Sequence, residues 1–402
     1  MTARAGPISF LSGPNRAVAV LCVTQILGWA ALFYPPGLTM THIAAEHNWS
    51  LAQALSGFSI ALGVSGLCAP FACGLVDRHG GNGVMAAGAL IGAAGLLTLP
   101  LATNFWIYTA GWVLLGISMA CNLYDPAFTA LTRIFGTASR RPITLVTFVG
   151  GLASTLSWPV TQVLISHSGW HSVYYVFAGV LAFIVAPLYA FGLPRHATYT
   201  PPAVAHDAPA PAPVKYFSPT GAPFILVMAG FACHAFMQSG TLAHLLAILQ
   251  RGGVSVEASV AIGAMFGPAQ VFTRMADFAT GGRLHPLWVA RLAMALMGAG
   301  FVFLLAAGFS TGIAALFAIM FGAANGVVTI ARGALPLSLF GPVGYGRVVG
   351  RIARPAQICQ ALSPFVLAYV IDRWSDRAAI EILIAMALMA LICFSLLRRP
   401  SK

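Results

Sequence analysis

The chain has 402 residues, of which 59% are hydrophobic and 7% charged, with a mean hydropathy of +0.85. A soluble domain carries about 25% charged residues, so 21 Lys and Arg with 9 Asp and Glu cannot build a water-facing surface for a chain this long. That arithmetic excludes a soluble enzyme, a disordered protein and a nucleic-acid binder, and the net charge of +12 draws its meaning from where the cations fall.

The opening residues, MTARAGPISFLSGPNR, lack a cleavable signal pattern, and the first apolar run is too long for a signal peptide's core. A transmembrane helix takes about 20 apolar residues. Apolar runs separated by Gly, Pro, Asn and charge predict helices over 16–40, 51–76, 83–103, 105–132, 142–166 and 171–193. A second set is predicted over 221–249, 257–281, 285–308, 311–336, 347–371 and 377–397. Between the sets, residues 195–220 are rich in Pro and Ala and have no apolar period, which predicts an extended cytoplasmic linker. The expected protein is therefore an all-α integral membrane protein of 12 helices in two six-helix bundles, 1–194 and 221–402.

The two sets resemble each other. Phe135-Gly136 recurs as Phe340-Gly341, 205 positions on, and the same offset takes Pro159 to Pro364 and brings Trp170 within one residue of Trp374. Two parallel six-helix repeats suit a secondary transporter with its substrate near the bilayer midplane. Lys and Arg set the orientation. With both termini cytoplasmic, Arg16, Arg78, Arg133, Arg140, Arg141, Arg283, Arg291, Arg347, Arg351 and Arg354 all fall inside, and only Arg251, Arg373 and Arg377 fall outside. The 7 cysteines lie in apolar runs without CxxC or CxxH pairing and read as small buried hydrophobes, so no metal, disulfide framework or cofactor is expected.

The loop after the second predicted helix reads Cys73-Gly74-Leu75-Val76-Asp77-Arg78-His79-Gly80. It resembles the GxLxDRxG loop motif of the major facilitator superfamily, with Cys73 in place of the usual first glycine. The resemblance implies that superfamily's fold, alternating access, and a gating role for Asp77 and Arg78. A narrower resemblance is to the monocarboxylate and oxalate/formate branch. It rests on Asn48-Trp49-Ser50, Trp158-Pro159, Gly169-Trp170 and Gly267-Pro268-Ala269-Gln270-Val271-Phe272-Thr273-Arg274. That branch has an Asp and, four residues on, an Arg thought to hold the substrate carboxylate. Arg274 matches the Arg, and Gln270 stands at the Asp position. The branch's first-helix lysine has no counterpart at Tyr34-Pro35-Pro36-Gly37. The GPxxGG pattern of antiporters is absent from the fifth predicted helix.

A charge at the centre of a membrane helix costs about 2.5–3.5 kcal/mol on insertion scales, so Asp125, Arg274, Asp277, Arg332 and Arg354 stand out. Arg274 reads as an anion anchor, because a guanidinium binds a carboxylate in a two-pronged fork. The alternative is an arginine near the inner face, paired with Asp277 one turn away. Asp125, followed by Pro126, is the preferred proton carrier, since a carboxylate taken out of water can carry a proton. The equal alternative is a fixed partner for Arg133 or another arginine. Arg332 and Arg354 read first as interfacial, with a basic vestibule as the alternative. His234 and Gln238, one turn apart, are candidates for the cavity lining with Tyr34, Asn122 and Tyr124. A lone histidine is more often a satisfied interior group.

The expected function is a secondary active transporter of a small, monocarboxylate-like organic anion. It is expected in a bacterial inner membrane, proton-coupled by symport, working as a monomer in the lipid bilayer. The alternative is an efflux pump for a drug, toxic metalloid or other metabolite. No GxxxxGK[ST] loop supports ATP drive, and no HExxH or GxSxG motif suggests an enzyme.

Overall fold

The computed structural model describes residues 13–195, 216–280 and 283–398. The predicted linker lies largely in 196–215, outside the described residues. Among those described there is helix and connecting turn but no strand. The chain divides into unit 1, Met1–Ala210 with Pro342–Gly350, and unit 2, Pro211–Gly341 with Arg351–Lys402.

Unit 1 contains α1 (Gly13–Leu32), α2 (Pro36–His47), α3 (Leu51–His79), α4 (Gly81–Thr98), α5 (Phe105–Asn122), α6 (Tyr124–Phe135), α7 (Arg140–Gly150) and α8 (Ala153–Val180). A π-helical turn, Leu181–Val185, leads into α9 (Ala186–Gly192). Unit 2 contains α10 (Ala222–Arg251), α11 (Val256–Ala264), α12 (Phe266–Ala279), α13 (Pro286–Ala307), α14 (Thr311–Phe340) and α16 (Asp376–Leu396). The helix α15 (Tyr345–Arg373) begins in unit 1 and continues in unit 2. Among the described residues, eight helical runs, some of them crossing a break, are long and apolar enough to span a membrane. Large apolar side chains such as Phe71, Trp106, Phe183 and Phe191 are exposed, as a lipid-facing surface allows.

All twelve predicted runs are helical, but four are broken where the sequence reading drew them continuous. The run 16–40 divides at Pro35-Pro36, where proline withdraws backbone donors and the Phe33 and Tyr34 amides both turn to the Trp29 carbonyl, at 3.1 and 3.4 Å. The run 105–132 divides at Leu123, whose backbone is extended. The run 142–166 divides at Gly151-Leu152, and 257–281 at Met265, just before Gly267-Pro268. Within α8, Gly169 takes φ 76° and ψ 170°, a conformation that favours glycine, and separates the fifth predicted run from the sixth.

The sequence repeat is also a repeat of contacts. α2 ends with Asn48 at φ 55°, and the Trp49 amide donates to the Ala44 carbonyl at 2.9 Å. The next helix is capped by Ser50, which accepts from the Gln53 amide. In unit 2, each position 205 residues on repeats the step. Gly253 takes φ 95°, the Val254 amide donates to the Leu249 carbonyl at 3.0 Å, and Ser255 caps α11 by accepting from Ala258. The helices α6 and α14 both end on a positive-φ glycine, Gly136 and Gly341, whose amides return to Thr132 and Leu337. Close helix packing repeats too. A side chain at Gly116 would collide with Ala61 and Val64 of α3, and one at Gly322 with Phe266 and Ala269 of α12.

Candidate substrate-binding and gating residues

In unit 1 the site is organised by a missing donor. In a continuous helix the Asn122 carbonyl would accept from the amide four residues on, but that residue is Pro126. Side chains from other helices take its place. Gln25 Nε2 donates to the Asn122 carbonyl at 2.6 Å, and the Tyr189 hydroxyl donates to it at 3.3 Å. The Asn122 side chain turns back on its own helix, with Nδ2 donating to the Ser118 carbonyl at 3.0 Å and to Ser118 Oγ at 3.2 Å. Just past the break, Asp125 is buried in the first turn of α6, where a carboxylate is favoured by the helix dipole. Aromatic rings cover the neighbouring surface. Trp29 lies 4.8 Å from Tyr124 between ring centroids, Tyr124 stacks on Phe128 at 5.4 Å, and Tyr34 meets Trp158 edge-on at 6.1 Å. The Tyr124 hydroxyl needs Gly150, since a Cβ there would stand 2.8 Å from it.

Asp77 lies at the end of α3. Its Oδ2 accepts from the Arg347 backbone amide at 3.0 Å, in the first turn of α15. A carboxylate there meets both an unused helix donor and the positive end of the dipole. Arg78 is exposed, and the arginine that ties down the end of α3 is Arg133, whose Nη1 donates to the Val76 carbonyl at 2.8 Å. Gly346 allows the approach, because a side chain there would meet Cys73, Thr129 and Asp77.

In unit 2 the buried guanidinium of Arg274 is held between helices. Its Nε donates to the Gly326 carbonyl at 3.3 Å, and Nη2 to Thr329 Oγ1 at 3.2 Å and Gln270 Oε1 at 3.4 Å. The Thr329 hydroxyl in turn donates to the Asn325 carbonyl at 2.9 Å. The Asn325 Oδ1 lies 3.1 Å from His234 Nε2, so α14 carries one polar stretch facing both α10 and α12. The glycine at 326 makes this possible, since a side chain there would collide with Gln270 and Thr273.

The structure thus joins Arg274 with Gln270 and ties His234 into the same α14 segment, with Gln238 half-buried one turn away. It places Asn122, Tyr124 and Asp125 around one helix break. Arg332 is half-buried, and Arg354 is exposed. Sequence reasoning missed Gln25, Tyr189, Asn325 and Thr329. The available signal was an uncharged amide or hydroxyl inside an apolar run, which a search for charges passes over.

The sequence model of the Major Facilitator Superfamily matches residues 18–353. The chain belongs to that superfamily. It is a multi-pass membrane transporter of the superfamily. An uncharacterized MFS-type transporter of Bacillus subtilis (strain 168), YcxA, is 28% identical over 142 residues, covering 35% of this chain and 35% of that relative. Two solved transporters illustrate the likeness in fold. The human organic anion transporter MFSD10 superposes with a TM-score of 0.71 at 16% identity, over 95% of this chain and 100% of that one. The proton:xylose symporter XylE superposes with a TM-score of 0.72 at 11% identity, over 94% and 95%. At these identities the likeness concerns the fold alone.

Proposed function

We propose that this transporter moves a small organic anion by alternating access across a bacterial inner membrane, with Arg274 as the anion anchor. The observation that carries this reading is the placement of Arg274. It is only 5% exposed on a broken helix, and backbone and side-chain oxygens of α12 and α14 fix its guanidinium. A fixed, permanently charged fork binds a carboxylate with little ordering cost. Gln270 bonds Arg274 and His234 bonds Asn325 of α14; these two residues, with Gln238 in unit 2 and Tyr34, Asn122 and Tyr124 in unit 1, are proposed as substrate-lining residues. The decisive measurement is anion uptake into proteoliposomes by wild type and Arg274→Ala. Normal uptake by a correctly inserted Arg274→Ala would end the anchor reading.

Asp125 is proposed as the proton carrier, supported by its burial beside a proline-interrupted turn. Asp125→Asn is expected to abolish pH-driven accumulation while preserving exchange of labelled for unlabelled substrate. Loss of both, or of neither, would assign Asp125 another role. Asp77 is proposed as a gating residue through its bond to the start of α15, with Arg78 beside it at the exposed end of α3. The termini are proposed to be cytoplasmic and the working state monomeric.

A further inference from the structure

In unit 2, α13 and α16 pack together, and Arg291 joins the start of the one to the end of the other. Its Nε donates to the Phe394 carbonyl at 2.9 Å, and Nη2 to the Ser395 and Leu397 carbonyls at 3.2 and 2.7 Å. The last carbonyls of a helix lack partners within it, and Arg291 supplies their donors. These bonds use one edge of the guanidinium. The other edge, Nη1, makes no hydrogen bond among the described residues, and Arg291 as a whole is half-buried. Trp288, one turn earlier, stacks under the guanidinium, its ring centroid 4.9 Å from Cζ. The Trp288 ring is exposed, and its indole N–H is likewise unused among the described residues. Arg398, also exposed, directly follows Leu397.

No Asp or Glu occurs in 278–371 or 382–402, so neither α13 nor the second half of α16 carries a carboxylate to balance these cations. The two helices have 22 and 21 residues, about 33 and 32 Å at 1.5 Å per residue. That is close to the roughly 30 Å of a bilayer's hydrocarbon, so their ends lie at headgroup depth. Away from those ends, Leu292 and Leu296 on α13 and Leu388 and Ile392 on α16 are exposed apolar surface. A matching ligand is anionic, because the place offers only donors and cations, and it carries an apolar part. Phosphodiester oxygens accept from a guanidinium fork and an indole N–H. A zwitterionic headgroup would bring a further cation to two arginines, and free phosphate would leave the leucines uncovered. We propose that the start of α13 and the end of α16 bind the headgroup of an anionic phospholipid. Arg291 Nη1, Trp288 Nε1 and Arg398 are its donors, and its acyl chains lie along the exposed faces of the two helices. In the proposed orientation this is the cytoplasmic leaflet, where anionic lipids attract basic groups. The site does not depend on which solute is transported.

The test is titration of the delipidated full-length protein, in a nonionic detergent, with dioleoyl phosphatidylglycerol, dioleoyl phosphatidylcholine and inorganic phosphate. Native mass spectrometry reads the lipid-bound fraction. Wild type is expected to bind phosphatidylglycerol about tenfold more tightly than phosphatidylcholine, and millimolar inorganic phosphate is expected not to displace it. Because Arg291 also caps α16, the variants leave it in place. Trp288→Phe keeps a ring under the guanidinium and removes the N–H, and Arg398→Gln removes a charge. Each is expected to weaken phosphatidylglycerol binding about fivefold, with phosphatidylcholine binding and thermal unfolding in lipid-free detergent as in wild type. Arg141→Gln removes the same charge from an exposed position of unit 1 and is expected to keep wild-type affinity. The site is overturned if phosphatidylglycerol binds no more tightly than phosphatidylcholine, or if inorganic phosphate displaces it. It is equally overturned if the Trp288→Phe, Arg398→Gln double variant binds phosphatidylglycerol like wild type, or if Arg141→Gln weakens binding as much as Arg398→Gln does.

Discussion

Units 1 and 2 make the same contacts at the same register to within one residue but fill their interiors with different chemistry. Scaffold positions repeat closely. Ser157 Oγ donates to the Ala30 carbonyl at 2.8 Å, and Ser363 Oγ to the Phe236 carbonyl at 2.6 Å, each bridging the first and fifth helical runs of its unit. Where α2 meets α8 and α10 meets α16, the correspondence extends to an acid–base pair with its members exchanged. Glu46 meets His171 at 3.1 Å in unit 1, and 205 positions on, Arg251 Nε donates to Asp376 Oδ2 at 2.8 Å in unit 2. Interior positions diverge. The counterparts of Trp29, Ser65 and Ala69 are His234, Gln270 and Arg274. Packing and capping constrain the backbone at fixed places, whereas a side chain facing a polar interior answers only to its ligand and neighbours. The diverged positions are therefore where function is to be sought.

The largest expected effect lies at such a position. Arg274→Ala should reduce anion transport roughly 10- to 150-fold, the worth of a charged hydrogen bond, read as initial uptake rate at matched insertion. Gly116→Leu and Gly322→Leu should each cost about 1–3 kcal/mol through overpacking. Thermal unfolding should fall by similar amounts in the two variants, and a large asymmetry would show that the α3 and α12 contacts are not equivalent. Ser157→Ala and Ser363→Ala should each cost about 1 kcal/mol, again as a matched pair in thermal unfolding. The smallest effect is expected at these two acid–base pairs. Exposed ion pairs contribute about 0–1 kcal/mol after solvent screening. Glu46→Arg should therefore lower stability slightly, and adding His171→Asp, which rebuilds the unit 2 pair in unit 1, should restore it. A double variant no more stable than the single one would break the proposed equivalence.

Much of the fold was legible because it follows from composition and period. The apolar runs sufficed to see a membrane protein, and Phe135-Gly136 with Phe340-Gly341 marked the repeat that the two helix caps now explain. The loop Leu75-Val76-Asp77-Arg78 pointed to the superfamily. The helix breaks were harder to see. Pro126 was visible, but nothing local said that Gln25, nearly a hundred residues earlier, would donate to the carbonyl that Pro126 leaves without its donor. Asn325 was likewise hidden, since an asparagine in an apolar run becomes informative only once His234 stands 3.1 Å away.

By itself, then, the sequence determined a helical membrane transporter of duplicated plan, because burying backbone in lipid forces helices and 20-residue apolar runs record them. Tertiary structure alone decided which polar atoms meet. It gave Arg274 its seat on α14, directed Asp77 to the start of α15 rather than to Arg78, and turned Gln25 to the carbonyl that Pro126 leaves without its donor. The physical reason is range. Hydrophobic period acts along the chain, while a hydrogen bond acts across about 3 Å of space whatever the separation of its partners in sequence.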